Sequence, residues 1–582
     1  MLMRTSSDDM ASASLAGILR RRAAREPDRI AFTFLKSERE RENLTYGALD
    51  RRASAIAAWL LARKASDQRI ILAYPAGLDF IAAFFGCLYA GAQPVPQPGY
   101  LRPRHLQKLA AVAADCGAAI ALTDTPTLAR LNEGVATPSG LTWAASDRIA
   151  PAEGSEAPIG IETSALAYLQ YTSGSTSKPR GVRITHANLL AHLQALAATY
   201  QVSGDDVLVS WLPHFHDMGL VGKPLLAVYA GAPCVMLSPL QFLQRPARWL
   251  QAITDFRGTI SAAPNFAYEL CAAKITAEER RGLDLSSWRI ALNGAEPVRA
   301  ETHRRFLSAF AECGLQEEAL SPCYGLAEAT LMVSTSRPSQ LPRIASFDRA
   351  SLVDRRAIPA SGDDTSELVG CGPPQEGIRV AIVDPQTHTA LAAGAIGEIW
   401  VKGASVADGY FGSPEATGAT FGAHLAKGEG PFLRTGDLGF LHEGELFIAG
   451  RIKDLIVVNG RNLYPQDIEQ SVQAGHPALL AGRGAAFAVD FGGRELLVVV
   501  QELHRHSGVD TAALITAIRA AILNEHEVHA GAILLVDPGS VPVTSSGKLA
   551  RYGARDLFLK GGLAPIAAWY ESAVESSWPG PS

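Results

Sequence analysis

The chain has little cysteine and no pattern in what it has. Its seven cysteines, at 87, 116, 234, 271, 313, 323 and 371, form an odd, scattered set with no C-x-x-C pair. That excludes a disulfide framework and fits buried free thiols in a reducing compartment. Long apolar runs are also missing. The stretch 80–92 is 13 residues, short of the ~20 that cross a bilayer. The first residues carry Asp8 and Asp9 instead of a basic segment followed by an apolar one, so no secretory signal is expected. A basic excess is absent too. Lys and Arg number 53 against 58 Asp and Glu, a net charge of −5, which argues against nucleic acid as a partner. A soluble, cytoplasmic protein with no membrane span is expected.

What is present reads as a large globular enzyme. Hydrophobic residues make up 47% and charged residues 19%, a balance that is neither disordered nor fibrous. At ~150 residues per domain the chain holds about four compact units, which large α/β enzymes often merge. Helical and strand patterns alternate from residue 14 to about 330. A helix is expected at 53–61, a short strand at 69–73, and a buried helix at 80–90. That helix is closed by Gly91 and the proline-rich 93–99. Such alternation predicts α/β architecture with mostly parallel sheets. Residues 336–369 are rich in Arg, Ser, Asp and Pro without clear periodicity, and read as a long excursion from the core. From about 370 to 450, short runs separated by Gly, such as 397–401, suggest an antiparallel β subdomain. After Gly450 a small α/β unit begins, with strands at 485–489, 496–500 and 532–536. Its helix at 512–523 has Leu514, Ile518 and Ile522 on one face. The domain boundary is expected at 451–454.

The most informative segment is Tyr171-Thr172-Ser173-Gly174-Ser175-Thr176-Ser177-Lys178-Pro179-Arg180-Gly181-Val182. Apolar residues 165–171 predict a strand before it. Thr185 caps a predicted helix whose face is Leu189, Leu193, Leu196 and Tyr200. A hydroxyl-rich loop therefore leaves a strand end. Gly174 lets backbone N–H groups approach a phosphate, and Ser173, Ser175 and Thr176 add donors. Lys178 and Arg180 add positive charge. The Walker pattern G-x-x-x-x-G-K-[ST] is absent, and a plain Ser/Thr-rich turn reads equally well from this segment by itself.

Further motifs follow in order: Gly294-Ala295-Glu296-Pro297, Tyr324-Gly325-Leu326-Ala327-Glu328, Thr435-Gly436-Asp437, residues 450–454, and Pro542-Val543-Thr544 leading to Gly547-Lys548. With the 171–182 loop these six segments resemble the adenylate-forming superfamily of acyl- and aryl-CoA synthetases, adenylation domains and luciferases. The order is the family's, along nearly the whole chain. Ala327 stands where that family usually has Thr, and Ser177 and Arg180 depart from its Thr-Gly-x-Pro-Lys-Gly loop. Arg180 keeps the charge but not the geometry of a lysine.

The resemblance implies a fold and a reaction. The fold is a large N-terminal AMP-binding domain, 1–450, made of two α/β sheet subdomains plus a β subdomain. A small mobile α/β lid, 451–582, follows, with its hinge at 451–454 and Asp454 as pivot. The reaction is attack of a carboxylate on the α-phosphate of ATP with release of pyrophosphate. Two anions must meet, so neutralisation and positioning dominate. Lys548 would reach both anions. Glu328 and Thr176 would serve Mg²⁺, a hard cation that prefers oxygen ligands. Thr172, Ser173, Gly174, Ser175 and Thr176 would cradle phosphates, with Thr172 also catalytic. Gly294, Ala295, Glu296, Tyr324 and Gly325 would form the adenine site, and Asp437 would accept from the ribose hydroxyls. Arg451 would touch the nucleotide or make an interdomain salt bridge.

The tail of the acid is addressed by Trp211-Leu212-Pro213-His214-Phe215-His216-Asp217-Met218-Gly219-Leu220. His214-x-His216-Asp217 invites a metal reading, but H-x-H-x-D-H is not met. A satisfied core histidine and a substrate-pocket role stay open. This segment, residues 263–270, 324–331 and 458–469 together resemble the fatty acyl-AMP ligases within the superfamily. By that resemblance Trp211, His216, Asp217, Met218, Gly219 and Phe266 would meet the fatty acid, with Trp211, Met218 and Phe266 lining an apolar channel. An insertion at about 344–368 would restrain the lid so that the acyl group passes to a separate, phosphopantetheinylated acyl carrier protein instead of CoA. An ordinary surface loop is the plainer reading of that insertion. No carrier domain is expected after Arg555. The rival expectations are a fatty acyl-CoA synthetase and a catalytically silent binding module.

Overall fold

The structure, a computed structural model, describes residues 14–571 apart from 100–101, 134–139, 151–161, 173–178, 459–460, 492–493, 506–507 and 545–547. Ser173, Gly174, Ser175 and Thr176 therefore lie outside the described residues.

The N-terminal part is built on two sheets with parallel cores. The larger runs Met332–Thr335, Leu320–Gly325, Ile290–Asn293, Ile260–Ala263, Leu208–Ser210, Cys234–Met236, Ile30–Leu35, Arg41–Thr45. Its inner pairs are parallel, and only the two edge pairs are antiparallel. The second sheet, Gln93–Pro98, Arg69–Tyr74, Ile120–Thr123, Thr142–Ala145, is parallel throughout. Between them lies the helix Leu78–Tyr89, buried on nearly every side, as a uniformly apolar run must be. The helix His186–Tyr200 begins at Thr185, whose hydroxyl accepts from Asn188 N while the Asn188 side chain accepts from Thr185 N. This reciprocal cap is worth about 1 kcal/mol. Leu189, Leu193, Leu196 and Tyr200 are all buried.

The proline-rich 93–99 is not merely the close of a helix, as the sequence suggested. Residues Gln93–Pro98 form a strand. The N–H groups of Gln93 and Gly99 bond to Gln68 O and Tyr74 O. Odd-numbered residues therefore face the neighbouring strand, and Pro94, Pro96 and Pro98 place their missing donors on the outer side. Prolines at alternate positions fit an edge strand and no other. Leu166–Thr172 lies alongside this edge, yet pairs only with Arg180–Thr185 in its own two-stranded sheet.

A four-stranded antiparallel sheet, Ile378–Val383, Gly397–Gly403, Leu433–His442, Glu445–Arg451, follows. The chain then enters a smaller C-terminal unit. Its mixed sheet, Leu479–Phe491, Arg494–Leu503, Ala530–Val536, Pro565–Tyr570, has a core on each face. Leu497, Val499, Ile533 and Leu535 point to one, with Leu514, Ile518 and Ile522 of the helix Thr511–His526. Val498, Val500, Leu534 and Val536 point to the other, with Phe558. This is the period-2 alternation of a sheet covered on both sides.

Residues 336–369 are more ordered than their composition suggests. Ile344–Asp348 pairs antiparallel with Thr365–Val369, and a short helix, Arg349–Val353, sits between. Phe347 is 0% exposed. It meets Phe440 and Phe447 edge-on at 5.1 and 5.6 Å, and Leu352, Ala357 and Tyr464 share that cluster with Ile452 and Leu455. Arg304 forks onto Glu367 at 2.8 and 2.5 Å. The excursion is thus packed against both the antiparallel sheet and the start of the C-terminal unit. One aromatic side chain supplies what periodicity could not reveal.

Phe347→Ala should lower stability by about 3–5 kcal/mol through the cavity it leaves. Leu341→Ala, at a side chain 59% exposed, should change it by less than about 0.5 kcal/mol. Chemical denaturation followed by fluorescence checks both, and equal effects would show that Phe347 is no anchor.

Candidate active site

The candidate residues come from strand ends and the connections that follow them. Gly294, Ala295 and Glu296 follow Ile290–Asn293, and Tyr324 and Gly325 end Leu320–Gly325. A Cβ on Gly294 would stand 2.6 Å from Cys323 Sγ, so only glycine lets these two connections touch. Ala295 adopts φ +69°, an uncommon conformation for a residue with a Cβ. The turn lets Glu296 Oε1 accept from Phe266 N at 2.6 Å, at the first turn of the helix Asn265–Lys274. A carboxylate is favoured there. Burial nonetheless pushes the Glu296 carboxyl above its usual range, with the Phe266 N–H and the Lys548 charge pulling back.

Asp437 is 5% exposed and has both oxygens engaged. Tyr324 Oη donates to Oδ2 at 2.6 Å, and Arg451 Nε donates to Oδ1 at 2.9 Å. The Tyr324 hydroxyl thus points at the carboxylate. Arg451 joins the antiparallel sheet to the turn Ile452–Asp454.

Glu328 accepts from Tyr410 Oη at 2.9 Å. Burial raises its carboxyl above the usual range, the Tyr410 hydroxyl opposes this, and the nearby Asp217 charge adds to it. The Tyr410 ring in turn lies 5.3 Å beneath the Arg180 guanidinium. Gly409 O accepts from Arg183 N, and Phe411 N donates to Gly181 O, so residues 409–411 bind the strand Arg180–Thr185 to Glu328. Thr172 is paired with Arg180 in the same hairpin. Tyr410 was missed from sequence. The carboxylate its hydroxyl serves is 82 residues away, and no local spacing signals the contact.

Asp217 starts a helical turn in which its Oδ1 accepts from Met218 N at 2.6 Å and meets His216 Nδ1 at 3.3 Å. Burial would raise its carboxyl. His216, the Lys548 charge and the Met218 N–H together outweigh burial and hold it below the usual range. A Cβ on Gly219 would lie 2.1 Å from Pro213 O, so the Trp-Leu-Pro bend closes only over glycine. Trp211 is 3% exposed. It stacks on Phe242 at 3.9 Å and meets Trp249 and Phe266 edge-on, each at 6.2 Å. His214 is set apart from this group. It lies 4.0 Å from the Phe80 ring, and burial lowers it to about 3. It is a neutral core histidine. Among the described residues no group of three or more His, Cys, Asp or Glu could hold a metal ion.

Lys548 comes from the far end of the chain. Thr544 Oγ1 accepts from Lys548 N at 3.1 Å, and Thr544 N donates to Lys548 O at 2.7 Å. The lysine is half-buried. Burial lowers its ammonium below 10.5, Asp217, Glu296 and Asp437 favour the charge, and Arg451 opposes it. The C-terminal lysine thus lies within electrostatic reach of three carboxylates of the N-terminal part. Three residues on, Arg551 forks onto Glu469 at 2.6 and 2.7 Å and reaches Asp454 at 3.5 Å. The lysine segment and the 451–454 turn are therefore joined by one guanidinium.

Comparison with known proteins agrees with this geometry. The AMP-binding enzyme family matches residues 19–411, and the Disco-interacting protein 2-like AMP domain matches residues 453–568. The medium-chain-fatty-acid–[acyl-carrier-protein] ligase JamA of Moorena producens is 45% identical over 94% of this chain and 96% of its own. The long-chain-fatty-acid–AMP ligase FadD23 of Mycobacterium tuberculosis is 40% identical over 93% and 96%. The crystal structure of a fatty acyl-adenylate ligase from Legionella pneumophila, in complex with acyl adenylate and pyrophosphate, is 38% identical. It superposes with a TM-score of 0.77 over 97% of this chain and 99% of that one. The chain belongs to the AMP-binding enzyme family, and within it to the fatty acyl-AMP ligases.

Proposed function

We propose that this enzyme activates a fatty acid with ATP to acyl-AMP and then passes the acyl group to the phosphopantetheine thiol of a separate acyl carrier protein. The observation that carries the reading is Lys548 amid Asp217, Glu296 and Asp437. A lysine drawn into a half-buried site among carboxylates fits a group that waits for anionic substrates. In the first step a carboxylate oxygen forms a bond to the α-phosphorus, and the bond from that phosphorus to pyrophosphate breaks. Lys548 reduces the repulsion between the two anions and the charge on the transferring phosphoryl group. Tyr324 and the connections after residues 293 and 325 hold the adenine end. Asp437, oriented by Tyr324 and Arg451, takes the ribose hydroxyls. Thr172 and residues 173–176 would take the phosphates, with the Arg180 charge in the paired strand.

Mg²⁺ suits the site. Glu328 offers a desolvated carboxylate with one donor from Tyr410, and Mg²⁺ usually takes one or two carboxylates together with phosphate oxygens. Glu328 and the Thr176 hydroxyl would hold it, and it would supply charge neutralisation. Trp211, Met218 and Phe266 line the acyl end, with His216 and Asp217 at its mouth. We read 1–450 as the AMP-binding domain and 451–582 as a lid pivoting at Asp454, a reading supported by the tie of Arg551 to Asp454 and Glu469. The buried free cysteines suit the cytoplasm, and among the described residues no helix is long and apolar enough to cross a membrane.

Lys548→Ala should cut pyrophosphate release by about 10²–10³-fold, with ATP binding and the melting temperature retained. Near-normal adenylation by that variant would refute the role. The pH profile gives a second check. Lys548 loses its proton below 10.5, so the alkaline limb of kcat/KM should fall at lower pH than an ordinary lysine would give. Lys548→Arg should abolish that limb whatever its absolute rate. Because Glu328 is raised, the acid limb should lie above the ordinary ~4.3 of a glutamate.

An acyl-CoA synthetase is the rival reading. With labelled fatty acid, ATP and CoA, accumulating acyl-AMP supports the ligase and acyl-CoA supports the rival. The insertion 344–368 favours the first. Its Arg349 reaches Glu525 of the C-terminal unit at 3.9 Å, a contact that restrains the lid. Deleting 345–366 would also remove the buried Phe347, so Arg349→Ala is the cleaner test. It should raise acyl-CoA formation several-fold, and no change would count against the restraint.

A further inference from the structure

The turn that carries Glu328 is held in a conformation its sequence does not favour. Thr330, two residues on, adopts φ +69° and ψ −49°, on the positive side that a β-branched residue rarely enters. Such strain persists only where neighbours over-determine the backbone, and it gathers at functional sites. The neighbours here come from one segment, 404–411, which runs between the strand Gly397–Gly403 and the helix Pro414–Phe421. Ser405 O accepts from Thr330 Oγ1 at 2.7 Å. Ala407 N donates to Glu328 O at 2.8 Å. Tyr410 Oη donates to Glu328 Oε1 at 2.9 Å. A hydroxyl, a carbonyl and a carboxylate of the same turn are each held by that one segment. The segment is itself fastened. Asn188 Nδ2 donates to Ala404 O and Val406 O, each at 2.9 Å. Arg183 N donates to Gly409 O at 2.9 Å, and Asp408 N donates to Arg183 O at 3.2 Å. Tyr410 N donates to Thr417 Oγ1 at 2.9 Å. Tyr410 therefore stands between Glu328 and the strand Arg180–Thr185, with its phenol on the carboxylate and its backbone bridged to Val182. Its ring is 7% exposed and meets Phe421 edge-on at 5.1 Å, so the hydroxyl has little room to point elsewhere. An ionised carboxylate has about four lone-pair sites, and its terminal torsion is soft. The phenol occupies one site and thereby fixes where the others point. The backbone bonds of the segment could hold the turn without the hydroxyl, but they could not aim the carboxylate.

We infer that Tyr410 is a positioning residue whose hydroxyl, braced by the 404–411 segment, holds the Glu328 carboxylate in the direction that receives the divalent cation of the nucleotide. The inference rests on the assignment of Mg²⁺ to Glu328 made above.

ATP binding should be measured by calorimetry on the full chain, without any acid, once with Mg²⁺ and once with EDTA. The wild-type enzyme should bind more tightly with Mg²⁺. Tyr410→Phe keeps the ring and its contacts with Phe421 and Arg180 and loses only the hydroxyl. It should shrink the ratio of the two affinities by about tenfold, as removal of a metal carboxylate's outer partner does. In a Glu328→Gln background, where the ratio is already small, the added Tyr410→Phe should change nothing more. An unchanged ratio in a folded Tyr410→Phe overturns the inference. An equal further loss in the Glu328→Gln background also overturns it, because a general effect on the fold would act in both. Should Tyr410→Phe not fold, 3-fluorotyrosine at position 410 decides. Its fluorine resonance should move when Mg²⁺ joins the ATP complex and should stay in place when Glu328→Gln is also present. No movement in the otherwise wild-type chain overturns the inference. A wild-type ratio of one is a different result. It removes the Mg²⁺ assignment and this inference with it, and leaves the activation reading standing.

Discussion

The mutual repulsion of a carboxylate and a triphosphate governs this molecule. Neither anion can approach the other in a desolvated site without a cation between them, and the chain supplies that cation from its last fifth. Lys548 feels Asp217, Glu296 and Asp437, which come from three separate parts of the N-terminal fold. Without substrate these carboxylates hold the lysine's charge against burial. In the proposed reaction the nucleotide and the acid would take over that task. Arg551, three residues further, couples the lysine segment to Glu469 and Asp454. Placement of the cation is thus tied to the turn between the two parts of the chain.

Much of this was legible in the sequence where the physics is local. Thr185 announced a helix start because its hydroxyl satisfies an N–H three residues on. The apolar run at 496–500 announced a strand, which the structure covers on both faces. The Gly294 and Tyr324 segments were located through their resemblance to motifs of the adenylate-forming superfamily. Contacts closed over long loops leave no local mark. Nothing near Tyr410 indicates that its hydroxyl serves Glu328, and nothing near Phe347 indicates that it fills a cluster made by Phe440 and Phe447. The prolines at 94, 96 and 98 misled for a related reason. Local propensity reads them as a break, whereas an edge position tolerates them.

Two kinds of burial divide the labour around the site. Trp211, Phe242, Trp249 and Phe266 form an aromatic wall by ring packing, rigid because interlocked rings have few alternative arrangements. The polar residues Glu296, Glu328 and Asp437 each rest on a donor from another element, Phe266 N, Tyr410 Oη and Tyr324 Oη. Their directions are therefore set before any substrate arrives, which is what electrostatic preorganisation requires.

The edge prolines have a mechanical corollary. Since Pro94, Pro96 and Pro98 offer no donors outward, the adjacent strand Leu166–Thr172 touches the parallel sheet without being stitched to it. The hairpin of Leu166–Thr172 and Arg180–Thr185 is seated like a drawer beside its frame. Its strand pairing is its own, so a shift of the hairpin would break no pairing of the parallel sheet.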